Sequence, residues 1–135
     1  MTKKQITQLS YEIVGCAIKV HKELGPGLLE HIYEKCLGYE LEKDGFLVEH
    51  QHIASVVYDD LEMNIDLRLD LFVEKTIVIE IKAATNILPV HEAQLMTYMK
   101  LVQAPQGILL NFFTDNITKS ARYYVNDFFK ILPEG

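Results

Sequence analysis

Ile6, Leu9, Ile13, Ala17, Val20 and Leu24 recur at steps of three or four. That spacing lays one apolar stripe along a helix over residues 7–23, and Gly25-Pro26-Gly27 stops it. A second helix spans residues 28–45, with Leu29, Ile32, Cys36, Leu37, Tyr39 and Leu41 turned inward and Gly45 as its stop. The period then falls from near four to two. Residues 46–58, 63–73 and 77–83 read as strands, separated by turns at 59–62 and 74–76. Helical spacing returns over residues 89–103, where Leu95, Met99 and Val102 form the buried side. Residues 107–113 are an apolar run suited to a central strand. Residues 116–132 read as a closing helix that packs its aromatic cluster, "RYYVNDFF", in the core. The order ααβββαβα gives an α/β fold, a small mixed β-sheet flanked by helices on both faces. At 135 residues the chain is one domain, 1–135.

The stretch "LRLDLFVEKTIVIEIKA", residues 67–83, carries the chemistry. Leu67, Leu69 and Leu71 interleave with Asp66, Arg68 and Asp70; Ile77, Ile79 and Ile81 interleave with Val78, Glu80 and Lys82. If the two segments form a hairpin, loop length decides which side chains meet. A two-residue loop sets Leu69 opposite Glu80 and Asp70 opposite Ile79, so each acid lies beside a core residue. A three-residue loop, Glu74 to Thr76, pairs Val73 with Ile77, Leu71 with Ile79 and Leu69 with Ile81, and brings Asp70 to Glu80. A one-residue slip moves every side chain to the other face, so the apolar pattern selects the odd loop. Directly opposed residues stand about 5 Å apart at Cβ. Two carboxylates at that separation need a proton or a cation between them, and a hard divalent ion such as Mg²⁺ suits them. Lys82, on the face of Glu80, can position a water or neutralise charge on a phosphate. The same string also fits a solvated sheet face on which Lys82 bridges the acids. The apolar flanks of "IVIEIKA" favour the site, since an unpaired glutamate is costly in an interior strand.

Other residues could complete it. Gly27, Glu30 and Tyr33 fall at steps of three along one side of the second helix, although Glu30 near a helix N-terminus is also favoured by the dipole alone. His91, Gln94 and Tyr98 share a face of the later helix, and there the plain alternative is a polar flank.

Bulk composition narrows the class. A net charge of −6 argues against tight, sequence-blind coating of nucleic acid, while leaving room for a local basic strip from Lys100, Lys119, Arg122 and Lys130. Cys16 and Cys36 match neither a zinc pattern nor a disulfide framework. They read as small buried residues of a cytoplasmic protein. No signal peptide or membrane span is expected. His50 and His52 alternate on one strand face without a third ligand, so they read as surface or partly buried histidines.

The ordered set of helix glutamate, strand aspartate, E-x-K and Q-x-x-x-Y resembles the PD-(D/E)XK nuclease superfamily. More narrowly it looks like the small proteins named for a GxxExxY signature, here Gly27-Leu28-Leu29-Glu30-His31-Ile32-Tyr33. The resemblance covers most of the chain and implies a restriction-endonuclease-like core and a Mg²⁺- or Mn²⁺-dependent nuclease. On that basis Asp70 and Glu80 would be metal ligands, joined by the backbone carbonyl of Ile81. Glu30 would approach the metal directly or through water. Lys82 would be the catalytic lysine, and Gln94 and Tyr98 would orient the substrate or brace Lys82. Leu69 stands where the superfamily's name has proline. The implied partner is nucleic acid, DNA before RNA, with no membrane and with room for a homodimer or a protein partner. The competing reading is a non-catalytic nucleic-acid- or protein-binding module that retains the nuclease fold.

Overall fold

The computed structural model describes residues 1–135, apart from the side chains of residues 64–66. Asp66, which the alternation sets beside Arg68 and Asp70, therefore lies outside the described residues. Helices α1 (Lys3–Leu24) and α2 (Glu30–Lys43) precede strands β1 (Val48–Tyr58), β2 (Leu61–Val73) and β3 (Ile77–Lys82). Helix α3 (Pro89–Leu101) leads to β4 (Gln106–Asn111). The chain ends in α4 (Ile117–Ser120), β5 (Arg122–Val125) and α5 (Asp127–Lys130). The five strands lie side by side in chain order. β3 and β4 are parallel, and the other neighbours are antiparallel. Among the described residues no helix is long and apolar enough to cross a membrane.

Two cores cover the two faces of this sheet. On one, Ile6, Ile13, Ala17, Tyr33, Leu37 and Leu41 of α1 and α2 pack on Leu71, Val73, Ile77, Ile79, Ile81, Ile108 and Leu110. On the other, Leu95, Tyr98 and Met99 of α3 pack on Leu69, Phe72, Val78 and Leu109. β3 and β4 are buried along almost their whole length, as expected of a parallel pair covered on both faces.

Several sequence expectations need correction. α1 begins at Lys3, one turn earlier than the apolar stripe implies, because Thr2 and Gln5 cap each other's backbone N–H groups. The inward side of α2 is Tyr33, Leu37, Gly38 and Leu41, whereas Leu29 and Tyr39 are exposed. The final segment is not one helix. Residues 122–125 form an edge strand antiparallel to β4, so the order is ααβββαβαβα. Two tyrosines followed by a valine are residues enriched in strands. Asn116 and Asn126 each accept a backbone N–H three residues on, starting separate short helical turns. Tyr123 and Val125 are consequently exposed instead of packed in a core.

The β2–β3 hairpin has the three-residue loop and the register Val73 to Ile77, Leu71 to Ile79. The ladder goes no further. Leu69 does not face Ile81: it belongs to the α3 core, while Leu71 belongs to the α1/α2 core. The face of β2 thus switches across Asp70, whose Oδ2 accepts the Ile81 N–H at 2.8 Å in place of a backbone partner.

Within the loop, Glu74 (φ 52°) and Lys75 (φ 49°) are both left-handed, and the Thr76 N–H closes the turn on the Val73 carbonyl at 2.9 Å. Glu74 is held by the Leu47 N–H at 2.6 Å, but Lys75 is exposed. A left-handed non-glycine residue costs about 1–2 kcal/mol, and glycine returns about half of that as chain entropy. Lys75→Gly should therefore stabilise the fold by about 0.5–1 kcal/mol, read as a higher urea midpoint at unchanged slope.

Candidate functional site

The site begins with the loop before α2. Tyr33 is fully buried. Its hydroxyl donates to the Gly25 carbonyl at 2.6 Å and accepts the Leu28 N–H at 3.0 Å. Its ring stacks on Phe112 with centroids 4.3 Å apart. The loop it pins turns at Gly25 (φ 70°) and Gly27 (φ 103°), conformations that glycine adopts without steric cost. This clasp delivers Glu30 to the first turn of α2, beside a groove lined by Leu28, Glu30, His31, Glu34, Gln51 and Asp70.

Asp70 lies where β2 and β3 part. Its Oδ2 takes the Ile81 N–H, and its Oδ1 stands 3.5 Å from Gln51 Nε2. Burial raises its carboxyl above the ordinary aspartate range. The Ile81 N–H and the Lys82 charge work against this, and the Glu30 charge adds to it. Glu80 is only 6% exposed. Burial, then the Asp70 charge, push its carboxyl up to about 8, against the pull of Lys82 and the Asp70 backbone. Glu80 Oε1 is the buried side-chain oxygen that has no hydrogen-bond partner among the described residues. Such an atom normally finds one.

Lys82 ends β3 opposite Asn111, and its carbonyl accepts the Phe112 N–H at 2.8 Å. Asn111 ties the segment after β3 by accepting the Ala84 N–H at 3.1 Å and donating to the Ala84 carbonyl at 2.8 Å. Burial and the Glu80 charge raise the Tyr98 hydroxyl, while Gln94 interacts with it in the opposite sense. Asp70, Glu80, Glu30, Lys82 and Tyr98 thus feel one another's fields, with exposed Gln94 touching Tyr98 at the rim. His91 instead caps α3, its Nδ1 accepting the Leu88 N–H at 3.1 Å. His50 and His52 turn to different carboxylates, Glu42 and Glu49. Arg122 is held by Glu92 at 2.8 Å.

Two groove residues escaped the sequence reading. Glu34 lies one turn after Glu30 on the same helix face, a spacing that could have revealed it. Gln51 carries no comparable signal.

A family model for the PD-(D/E)XK nuclease superfamily matches residues 7–123. The chain belongs to that superfamily. A mixed sheet flanked by helices agrees with its restriction-endonuclease-like fold. No curated protein and no solved structure matches the chain. Superfamily membership suggests a nuclease acting on nucleic acid, and PD-(D/E)XK nucleases generally use divalent metals.

The residues present fit such an ion. Two carboxyl groups, both raised by burial, adjoin, and one of their oxygens lacks a partner. Among the described residues no group of three or more His, Cys, Asp or Glu side chains is gathered tightly enough to hold a metal. Two side-chain carboxylates could instead be supplemented by backbone oxygen and water, ligands that hard cations accept readily.

Two outcomes follow. Glu80 keeps its proton to higher pH in the folded chain than in the unfolded one. Between its ordinary value of 4.5 and about 8, folding therefore binds protons and stability falls as pH rises. In EDTA, the urea midpoint of the wild type should drop across that window. Glu80→Gln should drop less and be the more stable protein at the alkaline end. Tyr33→Phe leaves the Leu28 N–H and the Gly25 carbonyl without the hydroxyl and should cost about 1 kcal/mol in denaturant melts.

Proposed function

We propose that the chain is a metal-dependent phosphodiesterase that hydrolyses nucleic acid, DNA in preference to RNA. Within the superfamily we assign it to the branch with the GxxExxY signature, Gly27 to Tyr33. The carboxylates of Asp70 and Glu80, with the Ile81 carbonyl, would hold Mg²⁺ or Mn²⁺, and Glu30 would approach it directly or through water. The observation that carries this reading is the buried, unpartnered Glu80 Oε1 beside a second carboxylate. When bound, the ion supplies positive charge to the scissile phosphate and acidifies a water.

The chain's own residues divide the remaining work. Lys82 already counters the charge of both acids. Its ammonium donates to the attacking water or to the oxygens on which negative charge grows, and such preorganised charge is typically worth about 10²–10³ in rate. Tyr98, held protonated by burial and by Glu80, acts as a neutral donor that braces Lys82 or the substrate backbone. Gln94 orients the Tyr98 hydroxyl. Glu30, pinned by the Tyr33 clasp, sets the acidic wall of the groove. A cytoplasmic setting fits this chemistry. A homodimer or protein partner would supply grip that the net acidic surface lacks.

The second reading is a binding module that keeps the nuclease fold. It is favoured by the absence, among the described residues, of a ready three-side-chain metal cluster.

The test compares wild type, Lys82→Ala and Asp70→Asn on single- and double-stranded DNA and on RNA, with Mg²⁺ and Mn²⁺. Lys82→Ala should cut at least about 100-fold more slowly while binding Mn²⁺ within a few-fold of wild type. Asp70→Asn should lose both activities. Equal inertness of all three proteins on every substrate, with no Mn²⁺ heat in calorimetry, overturns the enzyme in favour of the module.

A further inference from the structure

Gln51 sits in the middle of β1 with φ 49°, a left-handed conformation inside a strand and at a residue that is not glycine. On either side the ladder to β2 is regular: His50 pairs with Leu71 and His52 with Leu69. Gln51 itself is unpaired in that ladder, and the residue across from it is Asp70. Both strands therefore depart from regular pairing at one level, the level of the candidate ligand. Strain of this kind persists only where the surroundings over-determine it, and it gathers at functional positions.

The side chain gives the reason. Gln51 Nε2 donates to Glu34 Oε1 at 2.5 Å and lies 3.5 Å from Asp70 Oδ1. A carboxamide nitrogen carries two hydrogens, so one group can serve two acids. Asp70 Oδ2 is meanwhile held by the Ile81 N–H. The Asp70 carboxylate is thus gripped at both oxygens, from β3 and from β1. The β1 grip is anchored in turn on α2 through Glu34.

We propose that Gln51 is a positioning residue: anchored by Glu34, it fixes the orientation in which the Asp70 carboxylate meets a divalent cation. This rests on the reading of Asp70 as a metal ligand. Gln51 touches neither the ion nor the substrate. Its effect is to hold the Asp70 plane and to keep a donor between two acids that would otherwise repel.

The experiment uses the full chain, with Mn²⁺ as the probe. Isothermal calorimetry gives the Mn²⁺ Kd, and thermal denaturation in EDTA gives the metal-free Tm, for wild type, Gln51→Met and Gln51→Gly. Methionine keeps the length without the donor, and glycine suits the backbone conformation without any side chain. The proposal expects both variants to bind Mn²⁺ about ten-fold more weakly. The metal-free Tm should fall by no more than about a few degrees in Gln51→Met, which loses one donor, and by less in Gln51→Gly, where the backbone conformation is relieved. Wild-type affinity in both variants overturns the proposal and leaves the nuclease reading standing. So does a weakened affinity accompanied by a large Tm loss in both, which marks Gln51 as a structural tie only. A wild type without Mn²⁺ binding overturns the nuclease reading, and the positioning role falls with it.

Discussion

One hydrogen bond organises this molecule: the Ile81 N–H on Asp70 Oδ2. It substitutes a side chain for a strand partner, and the β2–β3 ladder stops there. On one side of the break, Leu71 feeds the core under α1 and α2. On the other, Leu69 feeds the core under α3. A strand that stayed in register would keep both leucines on one face. It would also leave Asp70 pointing at solvent or into one core. The break instead leaves Asp70 at the parting of two strands, with the Glu80 charge felt close by.

The surrounding elements hold that parting open without softening it. β3 is locked to β4 along its whole length, Ile77 to Lys82, so Glu80 and Lys82 cannot shift along the sheet. The Asn111 amide ties down the segment after β3. The Tyr33 hydroxyl performs the same service for the loop before α2, joining Gly25 to Leu28 and fixing where Glu30 enters. The site is therefore carried by rigid elements, which is what precise placement of charge requires.

Much of this was legible in the residues, and the exceptions have physical causes. The hairpin register could be read because alternation leaves a single loop length that keeps isoleucine opposite leucine. That the acids, the lysine and the Gln94–Tyr98 pair gather at one place could be read because their spacing is tied to strand and helix periods. The switch of face at Asp70 could not. "LRLDL" alternates without interruption, and the break comes from a side chain competing with the backbone for a donor. Gln51 was invisible for a related reason, since a left-handed backbone within a strand leaves no mark on residue type when glycine is absent. The edge strand at residues 122–125 is not legible locally because "RYYV" satisfies helical and extended spacing alike. The pairing edge that decides between them lies on β4, beyond any local window.

Several costs of this fold meet around Asp70. Gln51 adopts a disfavoured backbone conformation, Glu80 has a buried oxygen without a partner, and Asp70, Glu80 and Glu34 each have a carboxyl raised by burial and by neighbouring acids. Left-handed residues other than glycine also occur at Asp59, Glu74, Lys75 and Gln103, but those lie in turns. Local conflicts that coincide at one place are what distinguish a site from a defect. Acids kept only for solubility would stand in water, where hydration makes their charge cheap, and Glu80, 6% exposed, does not. A positive ion between Asp70 and Glu80 would relieve the repulsion, offset the desolvation and satisfy the orphaned oxygen together. A proton on Glu80 relieves the repulsion and the desolvation but leaves that oxygen without a partner, and satisfying it is what the proposed ion would add.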